Sequence, residues 1–373
     1  MIDKVDVAET IRSLDSISQT SFKSDADRYA AKEAARRLLA RLETPFERGW
    51  ALAFETPVLV AGLQMGSDLG IWAHWAEAEK QSEGAPVKLD TILGWCNAKV
   101  EATLLRRFLK HLSALYVLDE TNVDEWKLTP YTRAMGDKST HADQIIRCGL
   151  DHTIPSGVNL PKFLQKYSYQ DPLDKTKLDN YADMTGGADF FATCAQDPER
   201  LGSSFIGLMT ALRNHKMPWT DVYDTTELVA SADLTNGAPL FVDVGGAHGL
   251  DTERLLARHP DLPSDILVVQ DTPEVVAMTP EALDPRVTKM AYDFFTPQPL
   301  LLIYEVVLPA KGATSLMTTL DLQLMNCVSG LERTEEHWHD LLETAGFQIN
   351  SISRHDRAVE SVIEAELVSV EQP

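Results

Sequence analysis

The stretch Leu240-Phe-Val-Asp-Val-Gly-Gly-Ala-His-Gly249 constrains the fold of this chain more than any other. Its apolar run reads as a buried parallel strand that breaks directly into a glycine-rich turn and then a helix over Asp251 to Arg258. Glycine gives the turn its unusual dihedrals and lets backbone N–H groups approach a bound molecule with no Cβ in the way. A buried parallel strand also needs neighbours reached by crossovers, so this corner predicts a ligand-binding α/β unit.

The downstream sequence supplies the other parts. Ile266-Leu-Val-Val is a second strand closed by Asp271, and Thr272-Pro-Glu opens a helix with a cap residue followed by proline. Val287 to Tyr292 and Leu300 to Val307 read as third and fourth strands. Thr334 to Ala345 is a helix stopped by Gly346, and Phe347 to Ser353 with Val362 to Val370 is a strand pair. The expected fold class is α/β, with a mainly parallel, Rossmann-like sheet.

Upstream the pattern is helical. Asp25 to Leu42 reads as an amphipathic helix, and the apolar stretch Trp50 to His74 as buried helix at a subunit interface. Within Val87 to Arg133, two helices, around Leu89 and Leu104, precede a two-stranded wing from Tyr116 to Pro130, which is a winged-helix pattern. Between Cys148 and Thr220 lie aromatic and methionine-rich helices broken at Pro155, Pro161 and Pro172. This belt reads either as core or as the wall of an apolar pocket, with Met209 and Trp219, and further on Met325 and Asn326, as pocket candidates. The predicted organisation is an all-helical winged-helix domain over 1–135 and a second domain over 136–373, made of a helical pocket segment (136–225) and the sheet (226–373).

Charge narrows the partners. Fifty-six acids against 34 bases give a net charge of −22, which opposes attraction to phosphate backbones and to anionic membrane surfaces. Arg106, Arg107 and Lys110 on the second winged helix are accompanied by Asp119, Glu120, Asp124 and Glu125, so that segment reads as scaffolding and nucleic acid is excluded. No apolar run approaches the roughly 20 residues that span a bilayer. Four cysteines without paired spacing and an N-terminus without a signal-peptide pattern predict a soluble protein of the reducing cytoplasm, with no metal.

The turn itself selects a ligand. A nicotinamide-type G-x-G-x-x-G does not fit, because Ala247 and Leu250 stand where the second and third glycines belong. Asp243 precedes Gly245 by two residues, and Asp271 ends the next strand, where it can accept from both ribose hydroxyls. An acid at Asp243 repels a diphosphate but suits a cationic amino-acid end, which points to S-adenosylmethionine. Asp293 and Phe294, after the third strand, offer an acceptor and an aromatic wall for adenine. Asp243 has a second reading, as an acid that holds backbone N–H groups of the turn.

The chain resembles the S-adenosylmethionine-dependent O-methyltransferases of fungi and plants that carry an N-terminal winged-helix dimerisation domain. The resemblance covers nearly all of it and rests on the winged-helix segment ending Leu128-Thr-Pro, on Val242-Asp-Val-Gly-Gly-Ala-His-Gly, Gln270-Asp-Thr-Pro-Glu-Val, Asp293-Phe-Phe, Tyr304-Glu-Val-Val-Leu-Pro and Leu331-Glu-Arg-Thr-Glu-Glu-His-Trp. It implies a homodimer acting on a small molecule, an aromatic or polyketide-like hydroxyl compound of a secondary pathway. Asp243, Gly245, Gly246 and Gly249 would line the cofactor, Asp271 its ribose, and Asp293 with Phe294 its adenine. Glu305 and Glu332 look like the two acids that flank the family's catalytic histidine.

That histidine belongs to a His-Asp-Trp motif, and the sequence contains none. In the family the motif lies before the Glu305 strand, on a segment with a central strand and two helices. Here Phe295-Thr-Pro-Gln-Pro alone separates Phe294 from Leu300. A parallel crossover needs roughly a dozen residues or more, so the resemblance predicts a damaged sheet. His152, His248, His337 and His339 are no clear substitutes. Two further readings therefore stand beside methyl transfer: a pericyclase or cyclase on the same scaffold, and an inactive paralogue.

Overall fold

The computed structural model describes residues 6–82, 84–173, 178–230, 239–247, 249–278, 283–292 and 300–368. The chain divides into two compact units, Met1–His215 with Met325–Gly330, and Lys216–Leu324 with Leu331–Pro373. Compactness thus groups the helices after residue 135 with the N-terminal part.

The first unit is helical except for one small sheet. Its core is built on tryptophan: Trp72, Trp75 and Trp126 are fully buried among Ile92, Leu105, Leu109, Leu112 and Leu118. Glycine makes room for it, since a Cβ at Gly66 would lie 2.3 Å from the Trp72 indole, whose Nε1–H donates to the Leu63 carbonyl at 2.8 Å. Helices Leu89–Trp95 and Ala102–Ala114 lead into the hairpin of β2 (Leu118–Asn122) and β3 (Glu125–Leu128), to which β1 (Val87–Lys88) adds a third antiparallel strand. The hairpin neutralises the basic helix: Asp124 accepts two bonds from Arg106 (2.6 and 2.8 Å), and Glu120 one from Lys110 (2.7 Å).

The apolar stretch from Trp50 departs from the buried helix that its composition predicts. It breaks at Gly70 (φ +74°) into helices Thr56–Asp68 and Ile71–Ser82. Only its later part, including Leu63, Ile71, Trp72 and Trp75, reaches the core, whereas Trp50, Leu52, Phe54 and Val58 are exposed on the single chain. Helix Asp25–Leu42, capped by Ser24, likewise buries none of its residues.

In the second unit, β4 (Phe241–Val244), β5 (Leu267–Asp271) and β6 (Val287–Ala291) form a parallel sheet in the order β4-β5-β6. β5 lies at its centre and is buried along Leu267–Gln270, as a strand covered on both faces should be. A second sheet has the order β8-β7-β10-β9, with β7 (Leu300–Leu308), β8 (Arg333–Thr334), β9 (Phe347–Ser353) and β10 (Glu360–Leu367). β9 and β10 are the strand pair expected from the sequence. The two sheets share a core in which Leu255, Leu267, Val269 and Val362 are buried and Phe241, Leu302 and Tyr304 pack against them. No strand among the described residues joins them, so the expected single sheet is divided in two.

Candidate active site

The glycine turn follows β4 and is tied to β5 through its backbone. Gly245 and Gly246 both donate to the Gln270 carbonyl (2.8 and 3.2 Å), and the Ala247 N–H donates to Asp271 Oδ2 at 3.0 Å. The other Asp271 oxygen accepts from the Thr272 N–H at 2.7 Å. An ionised carboxylate has about four lone-pair positions, so Asp271 retains acceptor capacity at the carboxyl end of β5.

The glycines do different work. Gly245 has φ +71° and open space where a Cβ would stand. Gly246 lies directly on Asp243, whose carboxylate carbon would be 2.5 Å from an added Cβ. Gly249, the N-cap of helix Leu250–Arg258, has φ +74°, and a Cβ there would meet Leu283 at 2.9 Å and Val269 at 3.1 Å. Packing and backbone conformation by themselves account for glycine at 249.

Asp243 accepts from the buried Thr252 hydroxyl at 3.0 Å and has no ion-pair partner among the described residues. Burial first, and then the negative charge of Asp251, pushes its carboxyl up to about 6. A half-buried carboxylate without a cation is held at a cost in folding free energy. A ligand carrying an ammonium group would relieve that cost. The chemistry of this donor set therefore fits S-adenosylmethionine: an unpaired acid for the amino group, a glycine cradle with open space, and a spare acceptor at Asp271. Asp293 and Phe294, assigned to adenine from the sequence, lie outside the described residues, as does His248.

Of the two acids, Glu305 lies on β7 and Glu332 immediately precedes β8, both strands of the second sheet. β7 pairs with β8 in parallel at Val307↔Arg333, and with β10 in antiparallel register at Glu305↔Ser361 and Val306↔Glu360. Glu305, Glu332 and Glu360 thus gather near the carboxyl end of β7. Asp321 joins them by accepting the Glu332 N–H at 2.9 Å. Burial, with Glu305 the next cause and Asp321 and Glu360 after it, pushes the Glu332 carboxyl up to about 7. Thr252, Asp321 and Glu360 carry no sequence signal of their own; pairing register and a nine-residue helical offset bring them in.

The pocket candidates are placed less uniformly. Met209 is 40% exposed on helix Ser203–His215, and Met325 is half-buried on helix Ser315–Val328. Trp219 is buried in the core of the second unit, stacked on Phe241 (centroids 5.4 Å, planes 8° apart), with its Nε1–H on the Asp251 carbonyl. Asn326 is buried in a polar network of the first unit, donating to Ser156 Oγ (2.8 Å) and the Thr153 carbonyl (3.3 Å) and accepting from Asn180 (2.8 Å). His152 is fully buried, one ring nitrogen 2.7 Å from Tyr181 Oη and the other 3.0 Å from the Leu201 carbonyl. Both its nitrogens are used within the fold.

Comparison with known proteins gives the family and the fold. No protein-family model matches the chain. The O-methyltransferase ATR12 of Stachybotrys chlorohalonatus is 32% identical over 399 aligned positions, covering 97% of this chain and 99% of the relative. The fold is that of LepI in complex with S-adenosylmethionine (21% identity, TM-score 0.83, 96% of this chain and 99% of that one). It is equally that of a pericyclic reaction enzyme (21% identity, TM-score 0.81, the same shares). The chain belongs to the O-methyltransferase family. The ATR12 alignment also measures a difference in length. Ninety-seven percent of 373 residues is about 362, so about 37 of its 399 positions hold a residue of ATR12 and none of this chain.

Proposed function

We propose that this protein transfers a methyl group from S-adenosylmethionine to a hydroxyl of an aromatic or polyketide-like small molecule in secondary metabolism. The observation that carries the reading is the half-buried Asp243 beneath the glycine turn, without an ion-pair partner among the described residues, beside Asp271 at the next strand end. When bound, the cofactor supplies an electrophilic sulfonium methyl group. Asp243 would hold its ammonium end, Gly245 and Gly246 would admit its chain, and Asp271 would accept from its ribose. Asp293 and Phe294 are assigned to adenine on sequence grounds alone.

Glu305 and Glu332 are the proposed catalytic acids. A phenol has a pKa of about 10, so a base at the hydroxyl raises the population of the nucleophile near neutral pH. Glu332, its carboxyl pushed up to about 7 by burial and by Glu305, is a stronger proton acceptor than an ordinary carboxylate. Met209 and Met325 remain candidates for the substrate wall.

A homodimer is part of the proposal. Phe46, Trp50 and Phe54 form an exposed stacked ladder with centroids 5.8 and 4.6 Å apart, and Val7, Ile11 and Leu14 are exposed on the first helix. Contiguous exposed apolar surface of this kind suits a subunit interface. The four free cysteines fit a cytoplasmic setting.

Incubation with methyl-labelled cofactor and a panel of phenols tests the reading, with label expected in the product. A second reading, rearrangement or cyclisation without methyl transfer, is favoured by the lack of a His-Asp-Trp motif and by the shared fold with a pericyclic reaction enzyme. Cofactor binding by calorimetry with no label transferred to any phenol would select it. Absence of cofactor binding would sink both.

A further inference from the structure

Lys216 and Met217, which open the second unit, are fastened to β7 at Tyr304. The Tyr304 hydroxyl donates to the Met217 carbonyl at 2.6 Å. The Lys216 ammonium lies 4.0 Å from the centre of the Tyr304 ring and donates to the Tyr304 carbonyl at 3.4 Å. Its third contact is an ion pair with Glu360 of β10 at 3.8 Å, in which the two side chains are 28% and 16% exposed. A lysine usually carries its charge out to water on a flexible four-carbon stem. Here a ring, a carbonyl and a carboxylate hold the charge in place.

That place is close to the proposed proton acceptor. The order β8-β7-β10 puts Glu360 and Glu332 on the two sides of β7: Glu360 stands opposite Val306, and Glu332 one residue before Arg333, which stands opposite Val307. Two strand spacings separate them, about 10 Å. Glu305 of β7, Glu360 of β10 and Asp321, which accepts the Glu332 N–H at 2.9 Å, all bring negative charge to Glu332. Arg333 brings the opposing charge, with its guanidinium 5.2 Å over the Trp338 ring. The other charges within reach of Tyr304 are already paired, Asp251 with Arg254 (2.8 Å) and Asp221 with Arg258 (3.8 Å). Among the described residues, Lys216 makes the one ion pair that any of the four acids has.

We propose that Lys216 is a positioning residue for Glu332: a fixed positive charge that offsets Glu360 and so lets Glu332 give up its proton with three other carboxylates around it. This rests on the reading of Glu332 as proton acceptor and adds the group that sets its charge. At about 10 Å and an effective dielectric constant of about 20, one unit charge displaces a carboxyl by roughly one pH unit. Lys216 lies an ion-pair length further off and acts about half as strongly.

The pH at which kcat rises tests this. Lys216→Met should move the rise up by about half a pH unit, Glu360→Gln should move it down by about one, and the double substitution should fall between them. Lys216→Arg keeps the charge and the ring contact and should restore the parental rise. The same displacements are read without turnover in urea unfolding. Glu332 keeps a proton in the folded state that the unfolded chain has released, so its share of the stability falls as pH rises from 4.5 to about 7. The upper end of that fall, isolated by comparing each variant with its Glu332→Gln counterpart, should move as the rise in kcat does. If no phenol is methylated, the reading of the reaction fails, and the unfolding curves still decide the role of Lys216. A fall that Lys216→Met leaves unmoved overturns the proposal, as does a Lys216→Arg variant displaced as far as Lys216→Met, for the lysine then only ties the Met217 segment to β7. Should Lys216→Met not fold, Lys216→Gln, which keeps a donor for the Tyr304 carbonyl, takes its place with the same expectation.

Discussion

Asp243→Asn should stabilise the fold and weaken the ligand site at the same time. Asp243 is displaced from its ordinary value of 3.8 to about 6, chiefly by burial. Below about pH 4 the carboxyl is protonated in both states and has no effect on stability. Between about 4 and 6 the folded state keeps a proton that the unfolded chain has released, so stability falls as pH rises. Above about 6 the full cost is present. At about 1.36 kcal/mol for each pH unit of displacement this amounts to about 3 kcal/mol. An asparagine is isosteric, still accepts from Thr252, and carries no charge. At pH 7 it should raise stability by up to about 3 kcal/mol, or roughly 6–12 °C in Tm for a unit of this size, and abolish the fall between pH 4 and 6. Urea titrations at pH 4, 5, 6 and 7 followed by tryptophan fluorescence measure the first effect, and calorimetry with S-adenosylmethionine the second. Affinity should drop at least tenfold. A variant less stable than the parent at pH 7, or one that binds the cofactor equally well, would refute the reasoning: the first means that the acid is structural, the second that it does not face the ammonium group.

The same geometry bears on three other positions. Glu332→Gln should lower kcat by roughly 10²–10⁴, and the parent's rise in kcat through about pH 7 should vanish with it; a variant that keeps that pH limb excludes Glu332 as proton acceptor. Gly249→Ala must adopt φ +74° and meet Leu283 and Val269, so it should lose about 2–4 kcal/mol in urea unfolding, whereas Gly245→Ala, with open space at its Cβ, should lose only about 1–2.

How much of this was legible beforehand follows from the range of each interaction. The β4 strand, its turn and the helix after it are local events, visible as an apolar run, glycines and a 3.6-residue period, and their bounds follow the sequence closely. Asp271 was readable as a strand-end acid because the strand itself was readable. Gly249 was grouped with its neighbours as a cofactor glycine, although its own requirement comes from Leu283, 34 residues on, which no motif records. Trp219 looked like a pocket wall by position, while its partner Phe241 is set by packing across the unit. The exposed Trp50–Val58 face shows the converse limit. Apolar composition predicts burial but not whether the covering surface belongs to the same chain. The division of the sheet was anticipated from a link that is too short, since reach depends on chain length alone.

Asn326 shows how the two readings of a buried polar residue are separated. The sequence makes it a pocket candidate, and the fold places it in a buried network with Asn180, Ser156 and Thr153. Ser156 Oγ already donates to the His152 carbonyl at 2.8 Å, so it is fixed as the acceptor of the Asn326 amide. Asn326→Leu removes its bonds to Asn180, Ser156 Oγ and the Thr153 carbonyl, and Asn180→Leu removes the bonds its amide gives to Asn326 and to the Ser156 carbonyl; at about 0.5–1.5 kcal/mol for each hydrogen bond lost, either change should remove about 1–4 kcal/mol. The double substitution removes both ends of the 2.8 Å bond together, so it should cost less than the two singles combined, by at least about 1 kcal/mol. A residue whose task is to touch substrate behaves otherwise: its replacement raises KM, leaves the unfolding midpoint where it was, and is additive with Asn180→Leu. Additivity within about 0.5 kcal/mol, together with an unmoved midpoint, would therefore return Asn326 to the substrate pocket and remove it from the framework of the helical unit.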